Sequence, residues 1–187
     1  MKIVWGITGA GDLMPELFDI MADVARHPDA DITVVLSKAA GTVLKWYKLT
    51  DRLDAIARRV HVEKDANTPF LAGPLQVGKY DFFLVAPLTA NSAAKIAHGI
   101  ADTLITNCVA QISKGETPTY LLPVDREPGS ATTTLPDGTS FTLKVRDIDV
   151  VNVNKIREID GLHVLDGLDD LRQLFAERLG QDAGGAP

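Results

Sequence analysis

At 187 residues the chain is long enough for one domain with a full core and short for two. Hydrophobic residues at 45% and charged ones at 24% are ordinary globular proportions, and a net charge of −6 argues against a nucleic-acid surface, which needs clustered Lys and Arg. No apolar run approaches the roughly 20 residues that cross a bilayer, and Met1 leads straight into a strand without a leader-type apolar segment, so a cytoplasmic protein is expected.

In chain order, Lys2 to Thr8 is an apolar run of strand length closed by Gly9-Ala-Gly11. Asp12 is placed to cap the helix that follows, with Pro15 in its first turn, where a missing N–H is harmless. Leu13, Leu17, Ile20, Met21 and Val24 recur at helical spacing up to His27-Pro28, and Asp31 to Ser37 is a second buried strand. Gly41 to Tyr47 and Asp51 to Arg59 read as helices broken near Leu49-Thr50, and Val60 to Glu63 as a short third strand. Arg52, Arg58 and Arg59, interspersed with acids, read as a solvated helix face.

Asn67 to Gly78 holds two prolines and two glycines and reads as a long functional loop. Tyr80 to Ala86 is the next strand and Thr89 to Ile100 its helix. Asp102 is expected to cap another helix that ends at Gly115, and Thr119 to Val124 is a fifth strand. Thr132 to Leu143 alternates around Pro136-Asp-Gly138, a hairpin signal. A last helix spans Leu168 to Leu179; residues 1–180 form the expected single domain, and Gln181 to Pro187 a frayed tail.

Strand alternating with helix predicts a three-layer α/β fold, a doubly wound parallel sheet of flavodoxin-like or Rossmann-like type with a C-terminal β-hairpin excursion. Ligands in such sheets bind outside the carboxyl ends of the strands at the switch point. The polar strand endings Thr8-Gly-Ala-Gly11, Ser37-Lys38 and Pro87-Leu-Thr-Ala-Asn-Ser92 are expected to converge there.

Gly6-Ile-Thr-Gly-Ala-Gly11 has the spacing of neither the dinucleotide fingerprint nor the P-loop. It reads as a tight turn or as a phosphate cradle, and Ser37 and Thr89 at neighbouring strand ends favour the cradle. The absence of Lys or Arg inside the loop favours a mononucleotide over a triphosphate with magnesium. Cys108 is the single cysteine, which excludes an intramolecular disulfide and a self-contained cysteine-ligated iron–sulfur cluster. It reads as a small buried residue rather than a working thiol. His27, His61, His98 and His163 show no metal-ligand spacing; no metal is expected, and redox chemistry falls to an organic cofactor. Asp125-Arg-Glu127 follows the fifth strand, where catalytic loops and solvated turns look alike.

Pro87-Leu-Thr-Ala-Asn-Ser92 resembles the Pro-Ala-Ser-Ala-Asn-Thr motif of the homo-oligomeric flavin-containing cysteine decarboxylases. Within that family the chain is more similar to the archaeoflavoprotein and dihydromethanopterin reductase branch, over about residues 1 to 165. The likeness is carried by Trp5-Gly-Ile-Thr-Gly9, Leu36-Ser-Lys-Ala39, Lys45-Trp-Tyr-Lys48, Asn67-Thr-Pro-Phe-Leu-Ala-Gly-Pro-Leu75, Ala97-His-Gly-Ile-Ala-Asp-Thr-Leu104 and Leu135-Pro-Asp-Gly138.

The resemblance implies FMN as cofactor. It places the phosphate among Thr8, Gly9, Ala10, Gly11, Ser37 and Thr89, and the ring by Ala86, Pro87, Leu88 and Asn91. Asp102, Thr103, Thr106, Asn107 and Cys108 lie nearby, some from a neighbouring subunit, since the family builds its sites between the subunits of trimers and larger assemblies of trimers. The small-residue face Ala93, Ala94, Ala97 and Ala101 suits such packing. The implied reaction reduces 7,8-dihydromethanopterin to tetrahydromethanopterin, a one-carbon carrier. Hydride passes from flavin N5 to the pterin, and the electrons come from a ferredoxin-type protein or a reduced nicotinamide or flavin. A carboxylate suits the pterin's amino-pyrimidinone edge; Asp12, Glu16 and Asp125 are candidates by loop position, and His61 or Asp125 is a candidate proton donor. The rival readings are an FMN electron carrier docking to a ferredoxin-type partner and a flavin-dependent decarboxylase or prenyltransferase. The decarboxylases' clamp segment Pro-x-Met-Asn-x-x-Met-Trp is replaced here by Pro123-Val-Asp-Arg-Glu-Pro-Gly129, without Met or Asn, which weakens the decarboxylase reading.

Overall fold

The structure is a computed structural model that describes residues 1–135 and 137–182. The first half runs β1 (Lys2–Ile7), α1 (Met14–Ala25), β2 (Asp31–Leu36), α2 (Lys38–Trp46), α3 (Thr50–Ile56), β3 (Arg59–Val62), α4 (Ala72–Gln76) and β4 (Phe82–Leu88). The second half runs α5 (Ala90–Ala97), α6 (Leu104–Ile112), β5 (Thr119–Pro123), β6 (Ser130–Thr134), β7 (Ser140–Lys144), α7 (Asp147–Arg157), β8 (Leu162–Val164) and α8 (Leu168–Asp182).

Six strands form one parallel sheet in the order β3-β2-β1-β4-β5-β8. This is the expected doubly wound α/β architecture, and the chain reverses direction across the sheet between β1 and β4. Both faces are covered, so the inner strands are apolar at nearly every position: β1 and β4 are almost fully buried. Ile3, Trp5, Phe82 and Leu84 face α1 and α8, packing on Phe18, Met21, Leu171 and Phe175. Val4, Phe83 and Val85 face the other layer, where Leu75, Ile96, Ile105, Val109 and Ile156 meet them. Between Val85 and Leu88 the pairing of β4 with β5 slips in register.

β6 and β7 form the expected antiparallel hairpin, with Thr134 opposite Ser140 and Gly138 at φ 86. It interrupts the chain between β5 and α7 rather than ending it. Pro136 of the turn, and residues 183–187 of the expected frayed tail, lie outside the described residues. No helix among the described residues is long and apolar enough to cross a membrane.

Three expectations need correction, and two elements were not foreseen. Asp12 does not cap α1: Leu13 occupies the N-cap position at φ 63, with no side-chain cap, while the Asp12 carboxylate accepts the Thr133 hydroxyl of the hairpin. Asp102 does not cap α6: Thr103 does, through a reciprocal box with Thr106 that satisfies two backbone donors, and Asp102 pairs with Lys95 at 2.8 Å. The stretch from Asn67 to Gly78 is not wholly loop, because α4 begins at Ala72 and places Pro74 near its start, where the missing N–H costs nothing. Finally, α7 and β8 carried no legible signal. α7 buries two polar residues, Asp149 and Asn152, so its inner face lacks the apolar stripe that marks a helix, and β8 has three residues.

Candidate functional site

The carboxyl ends of β1, β2 and β4 open into a crevice of about 470 Å³, in the size range of small-molecule sites. It is here that the polar strand endings meet. Thr8 and Gly9 follow β1, Ser37 follows β2, and Thr89, Asn91 and Ser92 follow β4, with Asp102 and Thr103 at the start of α6 across from them.

The geometry of the crevice is that of an anion cradle. Ser37 caps α2 by accepting the Ala40 N–H at 3.1 Å, which leaves its own hydroxyl proton free to donate. Thr89 caps α5 by accepting the Ser92 N–H at 3.3 Å. Among the described residues no acceptor reaches the N–H groups of Gly9, Ala39, Ala90 or Asn91, the open donors of a loop and two helix starts. Gly9 is required by space: a Cβ there would stand 2.5 Å from the Ala39 Cβ. The missing side chain brings the loop after β1 against the first turn of α2.

Thr8 has a different part from the one its hydroxyl suggests. At 2% exposure, it donates to the Pro87 carbonyl at 2.8 Å and accepts the Thr89 N–H at 2.8 Å. The hydroxyl thus stitches the end of β1 to the end of β4. Trp5 adds a second stitch, its Nε1 donating to the Ala86 carbonyl at 2.7 Å. Ala86 and Leu88 are fully buried and lie beneath the crevice rather than on its lining. Ala10 is also buried.

Thr106, Asn107 and Cys108 lie one turn into α6, behind the crevice rather than on its lining. Thr106 closes the capping box, and Asn107 donates to the Ala66 carbonyl at 2.8 Å and to Asn67 Oδ1 at 3.0 Å, tying the loop before α4 to α6. Burial pushes the Cys108 thiol up to about 12, so it stays protonated and is a poor nucleophile. The Lys95 ammonium holds the exposed Asp102 carboxyl below its ordinary range.

Two lining residues, Glu63 and Ile105, were not among the candidates from the sequence. Glu63 is 8% exposed and accepts the N–H groups of Lys38 at 3.3 Å and Leu104 at 3.4 Å, bridging the starts of α2 and α6. Its signal was available: it follows β3 as Ser37 follows β2. Lys38 lines the crevice beside it.

Gly11, Asp12 and Glu16 face elsewhere, toward a second cavity of about 430 Å³ between the start of α1 and the hairpin. Asp125 is half-buried between two residues of that cavity's wall, Val124 and Arg126. Burial raises its carboxyl above the ordinary range, the Asp149 and Asp12 carboxylates raise it further, and Arg146 offsets part of this. His61 lies on edge strand β3 opposite Val35 and is not among the residues lining either cavity.

Residues 1–177 match the Flavoprotein family. The uncharacterized protein MJ0730 of Methanocaldococcus jannaschii is 48% identical over 179 residues, covering 96% of each chain. The dihydromethanopterin reductase (acceptor) of the same organism is 39% identical over 143 residues, which is 73% of this chain and 58% of that protein's length. Among solved structures, DmrB of Burkholderia xenovorans in complex with FMN, described as a cubic protein cage for redox transfer, superposes with a TM-score of 0.79 at 33% identity, covering 96% of each chain. The resemblance carried by the motifs along residues 1 to 165 is thus upheld: this chain belongs to the Flavoprotein family.

Proposed function

We propose that the protein binds FMN in the crevice and uses it to reduce 7,8-dihydromethanopterin to the tetrahydro form. The observation that carries this reading is the set of open N–H groups of Gly9, Ala39, Ala90 and Asn91 around a position with no room for a Cβ. That set suits a phosphate monoester, whose charge is met by backbone donors and two helix starts. The ring is proposed to lie by the end of β4, above the buried Ala86 and Leu88.

Gly11 and Ala10 shape the turn of the cradle. Thr103 and Asp102 are proposed to face a flavin held by this chain or by a neighbouring copy, with the buried Thr106–Cys108 segment behind them. A trimer or assembly of trimers is the proposed state, with the outer face of α5 at its contacts. Of the alanines there, Ala93 is already buried in the chain's own core, while Ala94, Ala97 and Ala101 remain partly exposed beside Ile100.

FMN, when bound, supplies hydride chemistry at its N5. The protein's part is to hold the ring by the end of β4, to keep water from the crevice and to set the second reactant beside it. The electron donor is proposed to be a ferredoxin-type protein or a reduced nicotinamide or flavin.

The test is anaerobic. Purified yellow protein is reduced chemically, 7,8-dihydromethanopterin is added, and the flavin absorbance is followed. Rapid reoxidation with formation of tetrahydromethanopterin is expected; a rate no greater than that of free FMN would sink the reading. Ser37→Asp is expected to give protein without flavin, because a carboxylate replaces a donor beside the phosphate dianion. Recovery of that variant fully yellow would remove Ser37 from the phosphate site.

A further inference from the structure

We propose that the cavity between the start of α1 and the β6–β7 hairpin holds the pterin, with the carboxylates of Asp12 and Glu16 taking its 2-amino-4-oxo-pyrimidine edge. This rests on the reductase reading above and names the half of the site which that reading leaves open.

Position comes first. One loop walls both cavities: Thr8 and Gly9 line the crevice, and Gly11 and Asp12 line the second cavity. The end of β4 joins them. The Thr8 N–H donates to the Pro87 carbonyl at 3.2 Å, and the N–H of Val124, on the wall of the second cavity, donates to the Leu88 carbonyl at 3.0 Å. The two openings are therefore neighbours, on either side of the loop after β1. A reactant in the second cavity is next to the crevice without displacing anything from the cradle.

The wall chemistry selects the ligand. Asp12, Glu16 and Glu127 line the cavity against a single cation, Arg126. The guanidinium of Arg126 is turned to the protein, with Nε donating to the Asp166 carbonyl at 2.6 Å and Nη1 to the Pro123 carbonyl at 3.3 Å. The cavity thus offers acceptors and repels anions, which excludes the pyrophosphate of a dinucleotide. It suits a neutral heterocycle with adjacent donors. The exocyclic amine and ring N–H of a 2-amino-4-oxopteridine are two parallel donors, the complement of one carboxylate.

Asp12 is pre-set for this. The Thr133 hydroxyl from the hairpin donates to one of its oxygens, which holds the carboxylate in place and leaves lone pairs on the other. Glu16, one turn further along, presents a second acceptor from the first turn of α1. The Tyr47 hydroxyl lies against Gly11 and donates to the Thr134 carbonyl at 3.2 Å, so floor and hairpin are joined beside Asp12. Asp125, the other carboxylate considered for this edge, has Asp149 and Arg146 as its charged neighbours besides Asp12. It is not on the cavity lining.

The experiment uses the flavin-loaded protein and two probes. Pterin (2-amino-4-oxopteridine) and lumazine, which carries an oxo group in place of the amine, are titrated by their fluorescence against wild type, Asp12→Asn and Glu16→Gln. Wild type is expected to prefer pterin. Asp12→Asn is expected to bind pterin about 10- to 100-fold more weakly, the effect of losing a bidentate charge-assisted pair, and to lose the preference between the two probes. A folding defect would weaken both probes alike and leave the preference. Wild type that binds neither probe, or Asp12→Asn that keeps both affinity and preference, overturns the proposal. Flavin reoxidation by dihydromethanopterin with an unchanged KM in Asp12→Asn and Glu16→Gln also overturns it while sparing the reductase reading. Asp12-dependent pterin binding without reoxidation does the reverse.

Discussion

Gly9→Val is expected to produce a folded protein with strongly weakened flavin binding. The backbone of Gly9 does not need left-handed angles; what it needs is space. A Cβ at this position stands 2.5 Å from the Ala39 Cβ and 3.3 Å from the Ala39 carbonyl carbon, and neither atom is the end of a flexible side chain. Either the first turn of α2 or the loop after β1 must retreat, and the open donors of Gly9 and Ala39 then no longer converge. Overpacking of this kind costs about 1–3 kcal/mol. Spent at the cradle, that is a loss of roughly 10- to 100-fold in FMN affinity, with the sheet itself spared. Flavin absorbance per protein and far-ultraviolet circular dichroism measure the two halves of the expectation. A variant that retains wild-type FMN affinity would show that the loop and α2 do not jointly hold the phosphate.

Trp5→Ala is the second large effect, and it falls on stability. Trp5 is fully buried, stacks on Phe175 with centroids 5.6 Å apart, and is bonded to the Ala86 carbonyl. Removing so large a side chain from a packed core costs about 3–5 kcal/mol, which in a chain of this size lowers the melting temperature by roughly 6–20 °C. Trp5→Phe separates the causes. It keeps most of the apolar contact but leaves the Ala86 carbonyl without its partner, at a cost of about 1–3 kcal/mol. Because Ala86 lies beneath the position proposed for the ring, Trp5→Phe is also expected to weaken FMN binding. If its melting temperature and FMN affinity both equal those of wild type, the indole hydrogen bond holds nothing in place.

Strands β1, β2 and β4 were legible because a strand covered on both faces is apolar throughout, and each of theirs stops at a polar or glycine residue. The caps Ser37 and Thr89 were legible as residue types at strand ends, since a hydroxyl three residues before a helical N–H forms its bond locally. α7 was hidden by the polar residues it buries: Asp149 is held by Arg146 through bonds of 2.7 and 2.8 Å, and Asn152 meets His98 at 3.2 Å, so helix contacts there are made with hydrogen bonds. A pattern search for apolar residues passes over such a face.

What the sequence by itself determined, then, is the alternating parallel architecture and the three strand endings that meet at one crevice, each dependent on burial and capping within a few residues; the family came from the resemblance of motifs spread along the chain. What only the tertiary structure decided is which polar groups are free. Asp12 finds Thr133 across 121 residues, Glu63 finds Leu104 across 41, and the Thr8 hydroxyl is taken up by a strand 79 residues away. A residue's type states what it can donate or accept. Whether that capacity is left for a ligand depends on which distant segment the fold returns to it.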